Sequence, residues 1–187
     1  MQTMNTKDLQ HHLRSNVFSK EFYEVSAPLS RGMLAYLTYT KSYDYGAVYS
    51  NSEIFEAVPD FQRDNNKWTT EMQVSFVENV MRGFRTDIKL FEIHANGLPT
   101  KCSCMILDGL QRLTALHEFF EGNIKPFGYT FEELKADRLI ANMSGGMVSV
   151  RVYNFSSKNE AIDFYVAMNE NITHSPQDIE KALQHKE

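Results

Sequence analysis

Residues 105–114 read MILDGLQRLT, and this stretch decides the fold of the chain. The apolar run 104–107 is typical of a short buried strand. Gly109 permits a tight turn directly after it, and apolar residues then recur at helical spacing until Gly122, which suits the end of a helix. The stretch therefore predicts a strand that passes into a helix with almost no connecting loop.

Upstream of this stretch, the sequence predicts one helix between two strands. The strands are predicted over 54–58 and 88–94, where short apolar runs end at turn residues. Between them, Thr70 and Gln73 have the spacing of a capping box, in which each side chain satisfies a free backbone N–H group. That helix is predicted to end at Gly83.

Downstream, the sequence predicts three more helices and one more strand. Valines at 148, 150 and 152 alternate with other residues, as in a half-buried strand. The helices begin at capping boxes that pair Thr130 with Glu133 and Ser157 with Glu160, and at Ser175-Pro176. The whole pattern predicts the α+β class: a mixed, helix-rich domain with a small sheet.

The composition is that of a globular protein with a sizeable core. The chain has 187 residues, of which 42% are hydrophobic and 12% aromatic, and this length suits one domain with a small appendage. The helical and strand spacing of the aromatic residues favours a core over a base-stacking surface. Residues 51–187 are predicted as the main domain and residues 1–50 as an N-terminal extension packed on it, with a helix over 6–22.

The composition also indicates the cellular setting. No run of 18 apolar residues is present, and residues 1–13 lack the apolar segment of a secretory signal. Cys102 and Cys104 are too close to form a disulfide framework, which favours a reducing compartment. Because no second ligand pair has matching spacing, buried thiols are favoured over metal ligands. We therefore expect a cytoplasmic protein without a membrane span.

The charge balance argues against tight binding to DNA phosphates. The net charge is −5, from 19 Lys and Arg against 24 Asp and Glu, whereas proteins that bind through phosphates usually carry a basic excess. Net charge says nothing about distribution, so a local basic patch stays open.

The predicted strand–helix junction has two interpretations. The N–H groups and dipole of a helix start attract an anion, and the planar guanidinium of Arg112 fits phosphate. Alternatively, Asp108 is the N-cap of the helix and forms a capping box with Gln111. A second Gln-Arg pair, Gln62 and Arg63, follows the other predicted strand, so both pairs are candidates for one polar site.

These segments resemble the N-terminal domain of GmrSD-type restriction endonucleases. That family carries a segment of Pro, an aromatic residue, Gln and Arg before a Trp, and a DGQQR motif. Here residues 59–63 read PDFQR before Trp68, residues 108–112 read DGLQR, and the stretch from Phe164 through Asn169 to 175–180 looks like a third family region. The resemblance covers residues 54–182.

The resemblance implies a ParB/sulfiredoxin-like fold that binds and hydrolyses a nucleoside triphosphate with Mg²⁺. It implies a nucleotide site made of Gln62, Arg63, Asp108, Gly109, Gln111, Arg112 and Asn169. Within that site, Asp108 would position metal or water, Gln111 would orient the attacking water and Arg112 would meet the phosphate charge.

Two departures from the family limit what is expected of this chain. Leu110 stands where the family usually has Gln, which predicts that binding survives better than hydrolysis. The family's nuclease half, with its His- and Asn-based metal chemistry, is not recognised, so we do not expect a complete restriction endonuclease. Whether the chain is an enzyme stays open.

Three functions are compatible with these expectations. The first is a stand-alone ParB-like module that binds a nucleoside triphosphate and regulates DNA processing in restriction, phage defence or counter-defence, in a bacterial cell or a phage-infected bacterium. The alternative is a non-catalytic module that binds DNA or protein and modulates a nuclease partner. Association of the chain into oligomers is compatible with either function. A ParB-like DNA nickase ranks third, because no clustered metal-binding carboxylates surround the motif.

Overall fold

Strands and helices are interspersed along the described part of the chain, as the sequence predicts. A computed structural model describes residues 5, 7, 21–29, 36, 55–62, 67–93, 104–136, 146–169 and 176–186. These residues form strands β1 (Glu21–Pro28), β2 (Arg85–Ile93), β3 (Met105–Asp108) and β4 (Met147–Phe155), and helices α1 (Thr70–Met81), α2 (Leu110–Phe120), α3 (Phe131–Ala136), α4 (Lys158–Asn169) and α5 (Pro176–Gln184). The predicted α+β class with a small sheet is confirmed.

The four strands form one sheet in the order β1-β4-β2-β3. The two central strands, β2 and β4, are parallel, and each edge strand pairs antiparallel with its neighbour. The edge strand β3 has its outer side covered, because Ile106 N–H donates to the carbonyl of Ala57 at 2.7 Å. This contact leaves one fewer open backbone donor at that edge.

The first face of the sheet carries the larger core. Side chains alternate between the faces of a strand, so one set from β2 and β4 packs against α1 and α2. The fully buried members of this set are Ile88, Leu90, Val148, Val150 and Val152 from the sheet, with Val77, Val80, Leu113 and Leu116 from the helices. The valine alternation therefore predicts the buried face correctly.

The second face of the sheet is divided between apolar and charged residues. Near the ends of β2 and β4, Phe91, Tyr153 and Phe155 form a second core with Tyr165 of α4 and with Phe61. Nearer the starts of the same strands, the residues of the same parity include the charged Asp87 and Lys89 of β2 and Arg151 of β4. The candidate site lies on this charged part.

A β-bulge in β3 turns the end of the strand toward the charged part. Lys89 pairs with Asp108 whereas Leu90 pairs with Ile106, so Leu107 is an extra residue. A bulge changes where the following side chains point. Leu107 is buried in the second core, and Asp108 reaches the charged residues of β2.

Most predicted helix ends are confirmed. Thr130 N–H donates to Glu133 and Glu133 N–H donates back to Thr130, and Glu160 N–H donates to Ser157. Helix α1 begins one residue earlier than the capping box predicts: Thr69 is the N-cap, and its hydroxyl accepts from Met72 N–H at 3.4 Å.

The predicted strand over 54–58 is wrong within the described residues. Phe55, Glu56 and Ala57 form the end of a helical turn, closed by Val58 N–H donating to the carbonyl of Phe55 at 3.2 Å. A short apolar run does not distinguish a strand from a buried turn. Ile54 lies outside the described residues.

The N-terminal region contributes a strand to the sheet. β1 pairs with β4 over Glu21–Pro28, so the predicted helix over 6–22 is wrong at its last two residues. The division of the chain at residue 50 stays a prediction. Among the described residues, no helix combines the length and the apolar composition needed to cross a bilayer.

The contact of Gly146 with α1 yields a stability prediction. A Cβ atom added at Gly146 would lie 2.5 Å from the Val80 carbonyl oxygen and 2.9 Å from a Val80 methyl carbon. Gly146→Ala should therefore lower the free energy of unfolding by about 2 kcal/mol, measured by chemical denaturation. The exposed-site variant Thr70→Ala serves as the control, with a change within about 0.5 kcal/mol. Equal stabilities of the two variants would show that this contact does not constrain the fold.

Candidate functional site

The β3–α2 junction is built around Gly109. This residue is the N-cap of α2 with φ of +102°, and within the described part of the chain no side chain caps the helix. A Cβ at this position would lie 3.2 Å from the Ile88 Cα atom and 3.3 Å from the Asp87 carbonyl oxygen. Both the positive φ and the close approach to β2 require glycine.

Asp108 is not the N-cap of α2, so the capping-box interpretation is wrong. It is the last residue of β3, and its Oδ2 atom accepts from Lys89 Nζ at 2.9 Å and from Arg112 Nη2 at 2.7 Å. The bulge directs the carboxylate toward β2, where cations can neutralise it. A charge network on the sheet therefore replaces the expected cap.

Four side chains form a closed ring of alternating charge. Arg112 Nη1 donates to Asp87 Oδ1 and also to the Asp87 carbonyl at 2.7 Å. Asp87 Oδ2 lies 3.4 Å from Lys89 Nζ, and Asp108 completes the ring between Lys89 and Arg112. Because the ring joins β2, β3 and the first turn of α2, it fixes where the helix leaves the sheet.

The ring continues across the sheet through β4 to β1. Arg151 Nη1 lies 3.6 Å from Asp87 Oδ2, and Arg151 Nε lies 3.2 Å from Glu24 Oε2. The register explains the alignment, since Arg151 is opposite both Lys89 and Glu24. We call these six residues the charged shelf: Glu24, Asp87, Lys89, Asp108, Arg112 and Arg151. Its side chains are between 19% and 36% exposed, so a ligand can reach them.

The environment of Asp108 favours its ionised form. Burial acts to raise the pKa of this carboxyl, but the charges of Arg112 and Lys89, with their hydrogen bonds, outweigh burial and hold the pKa below its ordinary value. An adjacent cation favours a carboxylate in this way. Asp108 is therefore an anion at neutral pH.

Three predicted site residues are buried and hydrogen-bonded within the protein. Gln62, Gln111 and Asn169 are 5%, 5% and 7% exposed. Gln62 donates to the Leu107 carbonyl at 3.3 Å, the Gln111 Oε1 atom accepts from Trp68 N–H at 3.1 Å, and Asn169 donates to the Tyr165 carbonyl at 2.7 Å. Arg63 lies outside the described residues.

These contacts bring together, around β3, the segments that contain PDFQR and Trp68, DGLQR, and Phe164 to Asn169. Gln62 binds the backbone of β3, Phe61 packs against Tyr165 with ring centroids 5.5 Å apart, and Gln111 holds Trp68. The segments that carry Gln62 and Gln111 thus contact each other through backbone groups, and one polar site formed by the two Gln-Arg pairs stays a prediction. Both amides act in the described structure by positioning backbone.

Leu110 and Cys104 belong to the core. Leu110 is 5% exposed and Cys104 is 2% exposed, and both lie in the larger apolar cluster. Position 110, where the sequence departs from the DGQQR motif, is thus a core position next to the site. The buried thiol predicted at Cys104 is confirmed, and Cys102 lies outside the described residues.

Four residues of the charged shelf belong to none of the predicted sites: Asp87, Lys89, Arg151 and Glu24. A usable signal was present in β2, where Asp87 and Lys89 alternate with the buried Thr86, Ile88 and Leu90. This alternation marks one strand face as charged. It does not show which cations and carboxylates of other strands lie beside it.

No family model, no curated protein and no solved structure matches this chain.

The ionised Asp108 predicts a pH-dependent contribution to stability. Because its pKa is lower in the folded state, the contribution is complete above the ordinary value of 3.8 and is lost as the pH falls through the folded-state pKa. Asp108→Asn should cost about 2 kcal/mol at pH 7, and the difference from the unmodified chain should shrink below pH 3.8. Urea denaturation across pH measures both.

The control for this experiment is Glu132→Gln. Glu132 pairs with Lys135 at 3.2 Å, but its side chain is 73% exposed, so its loss should change stability by less than about 1 kcal/mol. An Asp108→Asn penalty that stays constant from pH 7 to below the ordinary carboxyl pKa would contradict the proposed ionisation.

Proposed function

We propose that this chain binds a nucleoside triphosphate at the β3–α2 junction and, as a ParB-like module, regulates DNA processing in phage defence or counter-defence. The observation that carries the proposal is the start of α2, which no side chain caps among the described residues and which includes Arg112 and follows Asp108. The resemblance of the DGLQR motif to a family of nucleotide-dependent modules supports the same site.

The start of α2 provides partial positive charge. The first N–H groups of a helix have no partner within the helix, and the helix dipole adds to their attraction for anions. Gly109, as the N-cap, supplies no side-chain acceptor that would occupy these N–H groups. These features support binding of a phosphate group of the ligand at this helix end.

Asp108 offers an acceptor on the same side. Its contacts with the described residues all use Oδ2, so Oδ1 is available to accept from a ribose hydroxyl or from water on Mg²⁺. Among the described residues, no three His, Cys, Asp or Glu side chains group together as metal ligands. Mg²⁺ commonly binds through substrate phosphates and one or two carboxylates, and Asp108 with the phosphate oxygens fits that mode.

The contacts of Gln111 favour binding over rapid hydrolysis. Its amide oxygen accepts from Trp68 N–H at 3.1 Å, and orienting an attacking water through that oxygen would require exchanging this contact. The proposed primary activity is therefore binding, with slow hydrolysis as a secondary proposal. The same observation supports the alternative of a non-catalytic module that modulates a nuclease partner.

Ligand-dependent thermal stability tests the proposal. The chain is heated with ATP, GTP or CTP, each with and without Mg²⁺. A nucleotide at about 100 times its Kd adds about 2.7 kcal/mol, which should raise the Tm by about 5 to 10 °C. Arg112→Lys, which keeps the charge but loses the planar fork, should reduce this rise.

Lys135→Gln, which removes an exposed cation outside the shelf, should leave the rise unchanged. The nucleotide site is wrong if no nucleotide raises the Tm at millimolar concentration, or if Arg112→Lys responds like the unmodified chain. Phosphate release assayed on the same samples measures hydrolysis, and a plasmid assay measures DNA nicking.

A further inference from the structure

Three cations of the charged shelf converge on one carboxylate. Asp87 contacts Arg112 through Oδ1 and lies near Lys89 and Arg151 through Oδ2. We call Lys89, Arg112 and Arg151 the cation seat. We propose that the cation seat binds the phosphate chain of the ligand and that the Asp87 carboxylate occupies part of this seat when no ligand is bound.

Asp87 makes close contacts with Arg112 but lies farther from Lys89 and Arg151. Asp87 Oδ2 is 3.4 Å from Lys89 Nζ and 3.6 Å from Arg151 Nη1, whereas charge-assisted hydrogen bonds are about 2.7 to 2.9 Å long. Of the three Lys89 donors, only the one to Asp108 makes such a bond within the described structure, at 2.9 Å. An anion with several oxygens can approach these donors more closely than one carboxylate oxygen can.

The strand register places the cations side by side. Lys89 and Arg151 are opposite each other in the parallel pair of β2 and β4, and like charges in that arrangement repel. The carboxylate of Asp87, two residues before Lys89 on the same face of β2, lowers this repulsion. A phosphate chain, which carries more negative charge, would lower it further.

The seat lies next to the start of α2. Arg112 belongs both to the seat and to the first turn of α2, so a phosphate at the helix start is adjacent to Lys89 across the ring. A chain of linked phosphates can therefore run from the helix start onto the sheet. This inference rests on the proposed nucleotide function for the identity of the ligand, but the seat itself recognises the phosphates.

Isothermal titration with inorganic triphosphate tests the seat without a base or a sugar. Asp87→Asn removes the competing charge and keeps an acceptor for Arg112, so triphosphate should bind about tenfold more tightly than to the unmodified chain. Lys89→Gln and Arg151→Gln should each bind about tenfold more weakly. Lys135→Gln should bind like the unmodified chain.

The proposal is overturned if Asp87→Asn binds triphosphate no more tightly, or if Lys89→Gln and Arg151→Gln leave its affinity unchanged. Circular dichroism establishes that each variant is folded, and if Asp87→Asn is not, the two glutamine variants decide the outcome alone. Binding of a short single-stranded oligonucleotide without binding of triphosphate would also overturn it, in favour of a nucleic-acid backbone.

The same titrations with ATP, GTP and CTP separate this inference from the proposed function. Nucleotide binding that is unaffected by Lys89→Gln and Arg151→Gln would keep the nucleotide site and exclude the seat. Triphosphate binding that follows the seat variants, with no tighter binding of any nucleotide, would keep the seat and exclude the nucleotide function.

Discussion

The position of α2 depends on the ion pairs that Arg112 makes with two carboxylates. Asp87 and Asp108 come from adjacent strands, and Arg112 binds both from the first turn of the helix. Gly109 makes this geometry possible, because any Cβ there would contact the backbone of β2. The ring thereby joins two strands and a helix at one point, and the charged shelf extends that junction across the whole sheet.

The same residues are suited both to hold the fold and to bind a ligand. A fully buried ion pair would carry a large desolvation cost, and a fully exposed pair would contribute little. The shelf lies between these limits, with side chains 19% to 36% exposed. Its cations are held by carboxylates and are still accessible, which is the arrangement that the proposed anion binding requires.

Local sequence patterns predict the secondary structure well where the signal is periodic or chemical. The structure confirms the alternating valines of β4, the glycine that ends α1 and the capping boxes of α3 and α4. Each of these signals depends on residues close together in the chain, so the sequence alone is enough to predict it. The predicted strand over 54–58 is wrong because a run of four or five mostly apolar residues is too short to show a strand or a helical periodicity. Thr69, and not Thr70, caps α1. The two adjacent threonines carry the same hydroxyl group, so local sequence does not distinguish which of them is the N-cap.

By itself, the sequence determined the α+β class, the strand–helix junction at residues 105–114 and the concentration of polar groups around it. Only the tertiary structure decided what those groups do. Asp108 has the local chemistry of a helix cap, but a bulge and the register of β3 place it beside Lys89 and Arg112. Strand periodicity specifies the face on which a side chain lies, whereas its partners depend on strand order and register, which come from contacts distant in the chain.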